Sequence, residues 1–205
     1  MCVEYDASNT TEMSGMSVTA EMVVRYVWEL TGAVWLVGMV FNKRTVRRRL
    51  GGGLMVLLAA MTMAAGMAAL YWRWPEGMGR RLVAGSGELA WTAAAVTVAG
   101  CAFAVWARLT LGRNWSGQPT VKAGHELMTR GPYELVRHPI YSGLLVGIAG
   151  TVLLADQWGS VLGMVVVVVV LRLKIRQEEM LMMETFPETY PAYRARVKAL
   201  IPGVY

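Results

Sequence analysis

Apolar residues occur in long uninterrupted runs, and polar residues are confined to the segments between them. No charged residue falls within residues 50–72, 89–107, 139–155 or 157–171. A helix that crosses a bilayer needs ~20 apolar residues, with ~17–25 tolerated. The first two runs meet this length, the third lies at its lower limit, and the fourth is short. An earlier run at 22–41 is apolar except for Arg25 and Glu29, which are four residues apart and can pair on one helix face.

The pattern predicts an all-α integral membrane protein with about five transmembrane helices, at residues 22–41, 51–72, 88–108, 138–155 and 158–173. The last two are expected to form a short, tight hairpin, because Asp156 and Gln157 are the only polar break between them. Glycines recur at a spacing of four in both helices of this hairpin, and small residues at that spacing let helix backbones approach closely in lipid. They are Gly143, Gly147, Gly159 and Gly163.

Three regions follow from this organisation. Residues 1–21 form a polar N-terminal tail, residues 22–110 hold three transmembrane helices, and residues 111–205 hold a polar cassette, the helical hairpin and a C-terminal tail. From Arg172 the sequence alternates charged and apolar residues. We expect the last helix to leave the membrane and end near Thr185. A short amphipathic segment at 190–199 would then lie on the membrane surface or fold back over the site.

Charge sets the expected orientation. The net charge is +6, and basic residues cluster beside apolar runs, where anionic membrane lipids and topology explain them better than nucleic acid does. The basic residues at 43–49 predict that this loop is cytoplasmic, with the N-terminal tail on the extracytoplasmic side and the cassette and C-terminal tail inside.

No secretory signal is evident in the first 20 residues. Cys2 and Cys101 indicate neither a disulfide framework nor a metal site.

Two polar groups at the edges of the last apolar runs are candidates for chemistry. Residues 127–143 read LMTRGPYELVRHPIYSG, in which Gly131 and Pro132 indicate a turn and Pro139 suits the first turn of a helix. Free N–H groups at that helix start, beside Arg137 and His138, would suit an anionic group. A simple helix cap, with Arg137 extending to the head groups, is the alternative.

The second group is Glu178 and Glu179, which follow the last apolar run, with Lys174 one helical turn earlier. Adjacent carboxylates at a membrane boundary can stabilise a cation, bind a metal or simply be solvated. A metal is not expected, because His125 and His138 are the only histidines and no ligand spacing recurs.

These motifs resemble those of the isoprenylcysteine carboxyl methyltransferase group of membrane enzymes, a broader group that includes phospholipid methyltransferases. Residues 125–143 are similar to its pattern H-x-L-x-T-x-G-P-Y-x-x-V-R-H-P-x-Y-x-G, and residues 112–116 to an upstream element. Residues 174–179 and 186–202 are similar to its R-I-x-x-E-E and F-G-x-x-Y-x-x-Y…V…I-P elements. The resemblance runs from about Leu111 to Pro202, which identifies 111–205 as a methyltransferase catalytic region.

The resemblance implies a cytosolic pocket for S-adenosyl-L-methionine, closed by the C-terminal tail, and a lipophilic or lipid-linked methyl acceptor. The residues expected to bind the cofactor, carried over by position, are His125, Leu127, Gly131, Tyr133, His138, Tyr141, Glu178 and Glu179. Glu178, Lys174, Arg137 and Arg176 are expected to act in catalysis. The expected location is the plasma or inner membrane of a prokaryote, with the active site on the cytoplasmic side.

Two departures bear on the acceptor. Lys174 stands where the family usually has Arg, and Pro187 where it usually has Gly. Lysine cannot form the bidentate fork that arginine makes with a carboxylate. A phospholipid amine or small-thiol acceptor therefore stays open beside an isoprenylcysteine carboxylate. A sterol-reductase-like enzyme that uses NADPH and a non-catalytic membrane protein are further alternatives, and the sequence does not predict the oligomeric state.

Overall fold

The computed structural model describes residues 7–40, 45–48, 86–112, 115, 120–122 and 127–204. The predicted helix at 51–72 and His125 lie outside these residues. The elements in chain order are α1 (Ala7–Val40), β1 (Thr45–Arg48), α2 (Gly87–Leu111), β2 (Thr120–Lys122), α3 (Pro132–Leu135), α4 (Pro139–Ala155), α5 (Trp158–Thr185) and α6 (Tyr190–Arg196).

The helical architecture expected from the apolar runs is confirmed, with two differences. Helix α1 begins at Ala7 instead of near residue 22. No proline interrupts residues 7–21, and their Ala, Met and Glu favour helix. The polar composition of this segment is therefore compatible with a helix. The second difference is a short antiparallel pair, β1 with β2, in which Thr45 lies opposite Lys122 and Arg48 opposite Thr120. Strands this short give too little alternation to be recognised in a sequence.

Two helices of the described ranges, α2 and α5, are long and apolar enough to cross a membrane. Helix α4 is apolar but has only 17 residues. These helices support a membrane protein. The total of five spans stays a prediction, since one of the five proposed helices is not described.

The closest helix packing joins α2 to α4 through glycines. A Cβ on Gly143 would overlap the backbone of Gly100 and Ala104, and one on Gly150 would overlap the backbone of Ala93. The expectation that these small residues bring backbones together holds for α4, but its partner is α2 and not the neighbouring helix of the hairpin. On α5, a Cβ at Gly163 would meet nothing within 4 Å.

Helix α1 completes this three-helix core. The indole N–H of Trp28 donates to the hydroxyl of Thr151 over 2.9 Å, a buried hydrogen bond between α1 and α4. Around it pack Val24 of α1 and Ala94 and Cys101 of α2. A buried polar pair of this kind fixes the rotation of one helix against another, because leaving either partner unpaired would cost free energy.

Helices α4 and α5 are joined directly at the predicted polar break. Asp156 adopts a left-handed conformation with φ 50° and ends α4, and Gln157 precedes the first turn of α5. Helix α5 then continues to Thr185, as the sequence predicted. Its C-terminal third therefore carries the polar segment from Lys174 onwards in helical register.

Candidate functional site

The cassette folds as a turn followed by two helix starts. Gly131 has φ 62°, a conformation that favours glycine, and Pro132 opens the short helix α3. The chain then becomes extended at Val136, and His138 precedes Pro139 in the first turn of α4. The sequence-based placement of Pro139 is confirmed. This geometry places Arg137 and His138 at the end of α4 that faces the polar part of α5.

Arg137 is held by one carboxylate and by the C-terminal tail. Its Nη2 lies 2.6 Å and its Nε 2.8 Å from the same oxygen of Glu179, and both side chains are about one-tenth exposed. Its Nη1 donates to the carbonyl groups of Val197 and Arg194. Arg194 also approaches the second Glu179 oxygen, at 3.4 Å. The charge of Glu179 is therefore compensated within the protein.

His138 lies between the two carboxylates. Its Nε2 is 3.4 Å from Glu179 and its Nδ1 is 3.6 Å from Glu178. Burial by itself would lower the pKa of His138, but the two carboxylates outweigh burial and raise that pKa above its usual value. The two carboxylates therefore stabilise the charged form of this imidazole, and burial opposes them.

Glu178 has a more open environment than Glu179. The Tyr141 hydroxyl donates to it over 2.7 Å, and the Lys174 ammonium is 4.0 Å away. Lys174 also lies over the Tyr141 ring, 5.4 Å from its centre, and the His138 ring stacks on Tyr141 at 5.7 Å. The Glu178 side chain retains 20% exposure. This carboxylate can therefore be reached by a ligand, beside two aromatic faces.

The C-terminal tail folds back over the cassette, which was one of its two expected positions. The backbone N–H groups of Arg137 and His138 donate to the carbonyls of Lys198 and Ala199 over 2.8 and 3.0 Å. The Tyr193 hydroxyl of α6 donates to the Tyr133 carbonyl over 2.6 Å, in a buried position that raises the pKa of Tyr193 to about 12. The tail thus forms one wall of the cluster.

The structure brings together six of the residues singled out from the sequence and separates the others. The six that meet are Arg137, His138, Tyr141, Lys174, Glu178 and Glu179. Tyr133 lies beneath them, with its hydroxyl 3.4 Å from the Ala107 carbonyl of α2. Gly131 is exposed at the start of α3, next to Thr110 of α2, and Leu127 is half-buried. Arg176 is exposed on α5, two residues beyond the buried Lys174 and so on a different face.

Two contributors were missed by the sequence reasoning. Arg194 approaches Glu179, and the Ser142 hydroxyl donates to the Leu200 carbonyl over 2.6 Å. Arg194 is one of several basic residues in an amphipathic segment, so charge pattern alone could not distinguish it. Ser142 lies inside the cassette motif, directly after Tyr141, and that position was the available signal.

Within the described ranges, no group of three or more His, Cys, Asp or Glu side chains could hold a metal ion. The site combines one accessible carboxylate, one internally paired carboxylate, an imidazole between them and a buried lysine. Such a set can bind a cation at Glu178 while Lys174 and Arg137 provide positive charge nearby.

Comparison with known proteins agrees with this region of the chain. Residues 93–184 match the model of the isoprenylcysteine carboxyl methyltransferase family. Protein-S-isoprenylcysteine O-methyltransferase B of Arabidopsis thaliana is 36% identical over 81 residues, which are 39% of this chain and 41% of that protein. A probable protein-S-isoprenylcysteine O-methyltransferase of Oryza sativa subsp. indica is 33% identical over 81 residues, which are 39% of this chain and 42% of that protein.

The chain thus spans about two fifths of the length of the curated relatives that it matches. The matched segment contains most of α2, the cassette, α4 and nearly all of α5, and with them every residue of the six-membered cluster. The resemblance seen in the sequence motifs is confirmed: residues 93–184 are similar to the isoprenylcysteine carboxyl methyltransferase family, over somewhat less than half of the chain.

Proposed function

We propose that the protein transfers a methyl group from S-adenosyl-L-methionine to a lipophilic acceptor, an isoprenylcysteine-type carboxylate. The observation that carries the proposal is the pairing of Glu178 with Tyr141, two residues that lie within the family-matched segment. The relatives' names support the reaction, and the apolar helices beside the cluster support an acceptor that arrives from the bilayer.

The residues present fit the cofactor's chemistry. S-adenosyl-L-methionine, when bound, supplies a methyl group on a positively charged sulfur. A partly exposed carboxylate favours a cation, and Glu178 provides one beside the Tyr141 hydroxyl. From the resemblance, Leu127, Gly131, Tyr133 and the undescribed His125 would complete the binding set around His138 and Tyr141.

The two carboxylates have different tasks in this proposal. Glu179 is engaged by Arg137, His138 and Arg194, so its role is to hold the start of α4 against α5 and the tail. Glu178 has weaker cationic partners, since the Lys174 ammonium is at 4.0 Å and His138 at 3.6 Å. We therefore assign the direct contact with the cofactor to Glu178, with Glu179 close behind it.

Lys174 is the residue best placed to orient an anionic acceptor. It is buried and lies one turn before Glu178 on the same face of α5. A carboxylate acceptor is already ionised at neutral pH and needs no general base, so the protein's contribution is positioning and exclusion of water. Arg137 adds positive charge, whereas Arg176 would have to reorient from its exposed position to contribute.

A phospholipid amine or a small thiol is the second candidate acceptor, because Lys174 replaces the usual arginine. Such an acceptor must lose a proton, and His138 or a carboxylate of the site could take it. The contacts of His138 with Glu178 and Glu179 favour its protonated form, which reduces the fraction of rings that can act as a base. An acceptor that needs no base, a carboxylate, is therefore the first choice.

The proposed location is a multi-pass membrane position in a prokaryote, with the cluster on the cytoplasmic side where the cofactor is available. Arg47→Cys and Ser8→Cys, each in a Cys2→Ser/Cys101→Ala background, test the orientation with an impermeant thiol reagent on intact cells. Residue 47 should be protected and residue 8 labelled. The opposite pattern would place the cluster outside and remove it from cytosolic cofactor.

Calorimetric titration of the purified protein tests the cofactor class. We expect micromolar binding of S-adenosylhomocysteine and no binding of NADPH. Saturation at 100 times the dissociation constant should add ~2.7 kcal/mol to stability, which a thermal unfolding curve would detect. NADPH binding without S-adenosylhomocysteine binding would favour the reductase-like alternative.

A further inference from the structure

The guanidinium of Arg108 is buried at the C-terminal end of α2. The residue is 4% exposed, its Nη1 donates to the Gly112 carbonyl over 2.8 Å, and its Cζ lies 4.7 Å from the centre of the Trp115 ring. Its buried Nε has no hydrogen-bond partner within the part of the chain that the structure describes. A buried N–H donor without an acceptor costs free energy, so an acceptor from outside the chain is expected there.

Arg108 lines an apolar cleft between the last turns of α1 and α2. The cleft has a volume of about 460 Å³, within the ~300–1,000 Å³ typical of ligand sites, and its walls include Val34 and Val37 of α1 and Leu109 of α2. Arg108 is the one charged residue among its described walls. An apolar cleft with a single buried cation suits an amphiphile that carries one anionic group.

The guanidinium reaches across the cleft from α2 to α1. A Cβ on Gly38 would overlap its Nη2 and Cζ, so the absence of a side chain at residue 38 leaves room for the guanidinium. The neighbouring Leu36, Val37 and Leu109 are each at least 60% exposed. The cleft therefore opens onto an apolar outer surface of the helix pair and not onto a polar one.

The position of the cleft in the molecule indicates the chemistry of its occupant. Helix α2 is long and apolar enough to cross a membrane, and the sequence after α1 is basic at residues 43–49, as is typical of the head-group level. We propose that the cleft binds an anionic phospholipid, with the phosphate accepting from the Arg108 guanidinium and one acyl chain lying along Val34, Val37 and Leu109. None of the six residues clustered around Glu178 lines the cleft, and the proposal does not depend on the proposed activity.

The test compares lipids on the purified protein. In mixed micelles, phosphatidylglycerol should raise the unfolding temperature and remain bound in native mass spectrometry, whereas phosphatidylcholine and inorganic phosphate should not. Arg108→Gln should weaken phosphatidylglycerol binding about tenfold or more. Arg196→Gln removes an exposed cation from α6 and should leave lipid binding unchanged, which controls for net charge.

A second variant separates lipid binding from a capping role of Arg108. Arg108→Gln also loses the contact with the Gly112 carbonyl and can destabilise the fold by itself. Val34→Trp fills the cleft while keeping Arg108, so it should abolish phosphatidylglycerol binding without loss of lipid-free stability. Equal stabilisation by phosphatidylcholine, or by phosphate alone, would overturn the proposal. So would full phosphatidylglycerol binding by Val34→Trp.

Discussion

Arg137 and Glu179 form a buried ion pair between the start of α4 and the polar end of α5, with Nη2 2.6 Å from Oε1. The two residues are 42 positions apart, and neither side chain is more than 11% exposed. Glu178 is adjacent to Glu179 on α5, and Tyr141 lies four residues after Arg137, so the 2.7 Å hydrogen bond from the Tyr141 hydroxyl to Glu178 joins the same two segments as the ion pair.

Breaking this ion pair should destabilise the protein strongly. Arg137→Gln leaves the buried Glu179 with only the longer contacts to His138 and Arg194, and Glu179→Gln leaves Arg137 with carbonyl acceptors alone. Each variant should cost up to ~3–5 kcal/mol of unfolding free energy. The double variant should cost less than the sum of the two. Denaturant titration in detergent measures all three.

The pair Arg25–Glu29 provides a matched control, since it is also a contact between arginine and carboxylate but is at least half exposed. Arg25→Gln should cost only ~0.2–1 kcal/mol. Similar losses at the two sites would mean that burial of the Arg137–Glu179 pair does not matter.

Glu178→Gln should weaken the binding of S-adenosylhomocysteine and the binding of S-adenosylmethionine unequally. Loss of a charge-assisted contact should reduce affinity for the sulfonium-bearing cofactor by roughly 10- to 150-fold, corresponding to ~1.5–3 kcal/mol. Binding of the uncharged thioether product should be less affected.

Two further variants serve as controls. Glu179→Gln should reduce affinity less than Glu178→Gln, and Glu188→Gln, at an exposed residue beyond α5, should have no effect. Calorimetry gives each constant, and an unchanged affinity in Glu178→Gln would show that this carboxylate does not touch the cofactor.

The pH dependence of stability should carry a contribution from His138. Its folded-state pKa is raised, so the contribution is fully present below the ordinary value of ~6.5 and is lost as pH rises through the folded-state pKa. The difference in unfolding temperature between the wild type and His138→Gln should therefore be largest at mildly acidic pH and should shrink at alkaline pH. The neighbouring charged residues Glu178, Glu179 and Arg137 are the same in the wild type and in His138→Gln, so the comparison isolates the contribution of His138. A difference that grows with pH would mean that His138 is neutral in the folded protein.

Packing of α2 against α4 should depend on the absence of side chains. Gly143→Ala places a Cβ against the backbone of Gly100 and Ala104 and should cost ~1–3 kcal/mol, because backbone cannot move aside as a flexible side chain can. Gly163→Ala, at a site on α5 with nothing within 4 Å, should be neutral or gain up to ~1 kcal/mol from helix propensity. Equal thermal shifts for the two variants would contradict the observed helix pairing.

Local patterns in the sequence predicted the parts of the site that depend on short spacing. Lys174 and Glu178 share one face of α5 because they are one turn apart, and Pro139 begins α4 because its missing N–H is tolerated there. The pairing of α4 with α2, the reach of Arg194 to Glu179 and the β1–β2 ladder depend on contacts distant in sequence. No periodicity carries that information, so glycine spacing showed that α4 would pack closely but not with which helix.

The most direct test of the proposed activity is transfer of a radiolabelled methyl group from S-adenosylmethionine to a farnesylated N-acetylcysteine by the purified protein. A methyl ester releases its label as volatile methanol in base, whereas a methylated amine or thioether does not. We predict base-labile product from the wild type, unchanged yield from Glu188→Gln, and yield reduced roughly 10- to 150-fold in Glu178→Gln at subsaturating cofactor. Base-stable label, or no transfer by protein that binds S-adenosylhomocysteine, would contradict methylation of an isoprenylcysteine carboxylate.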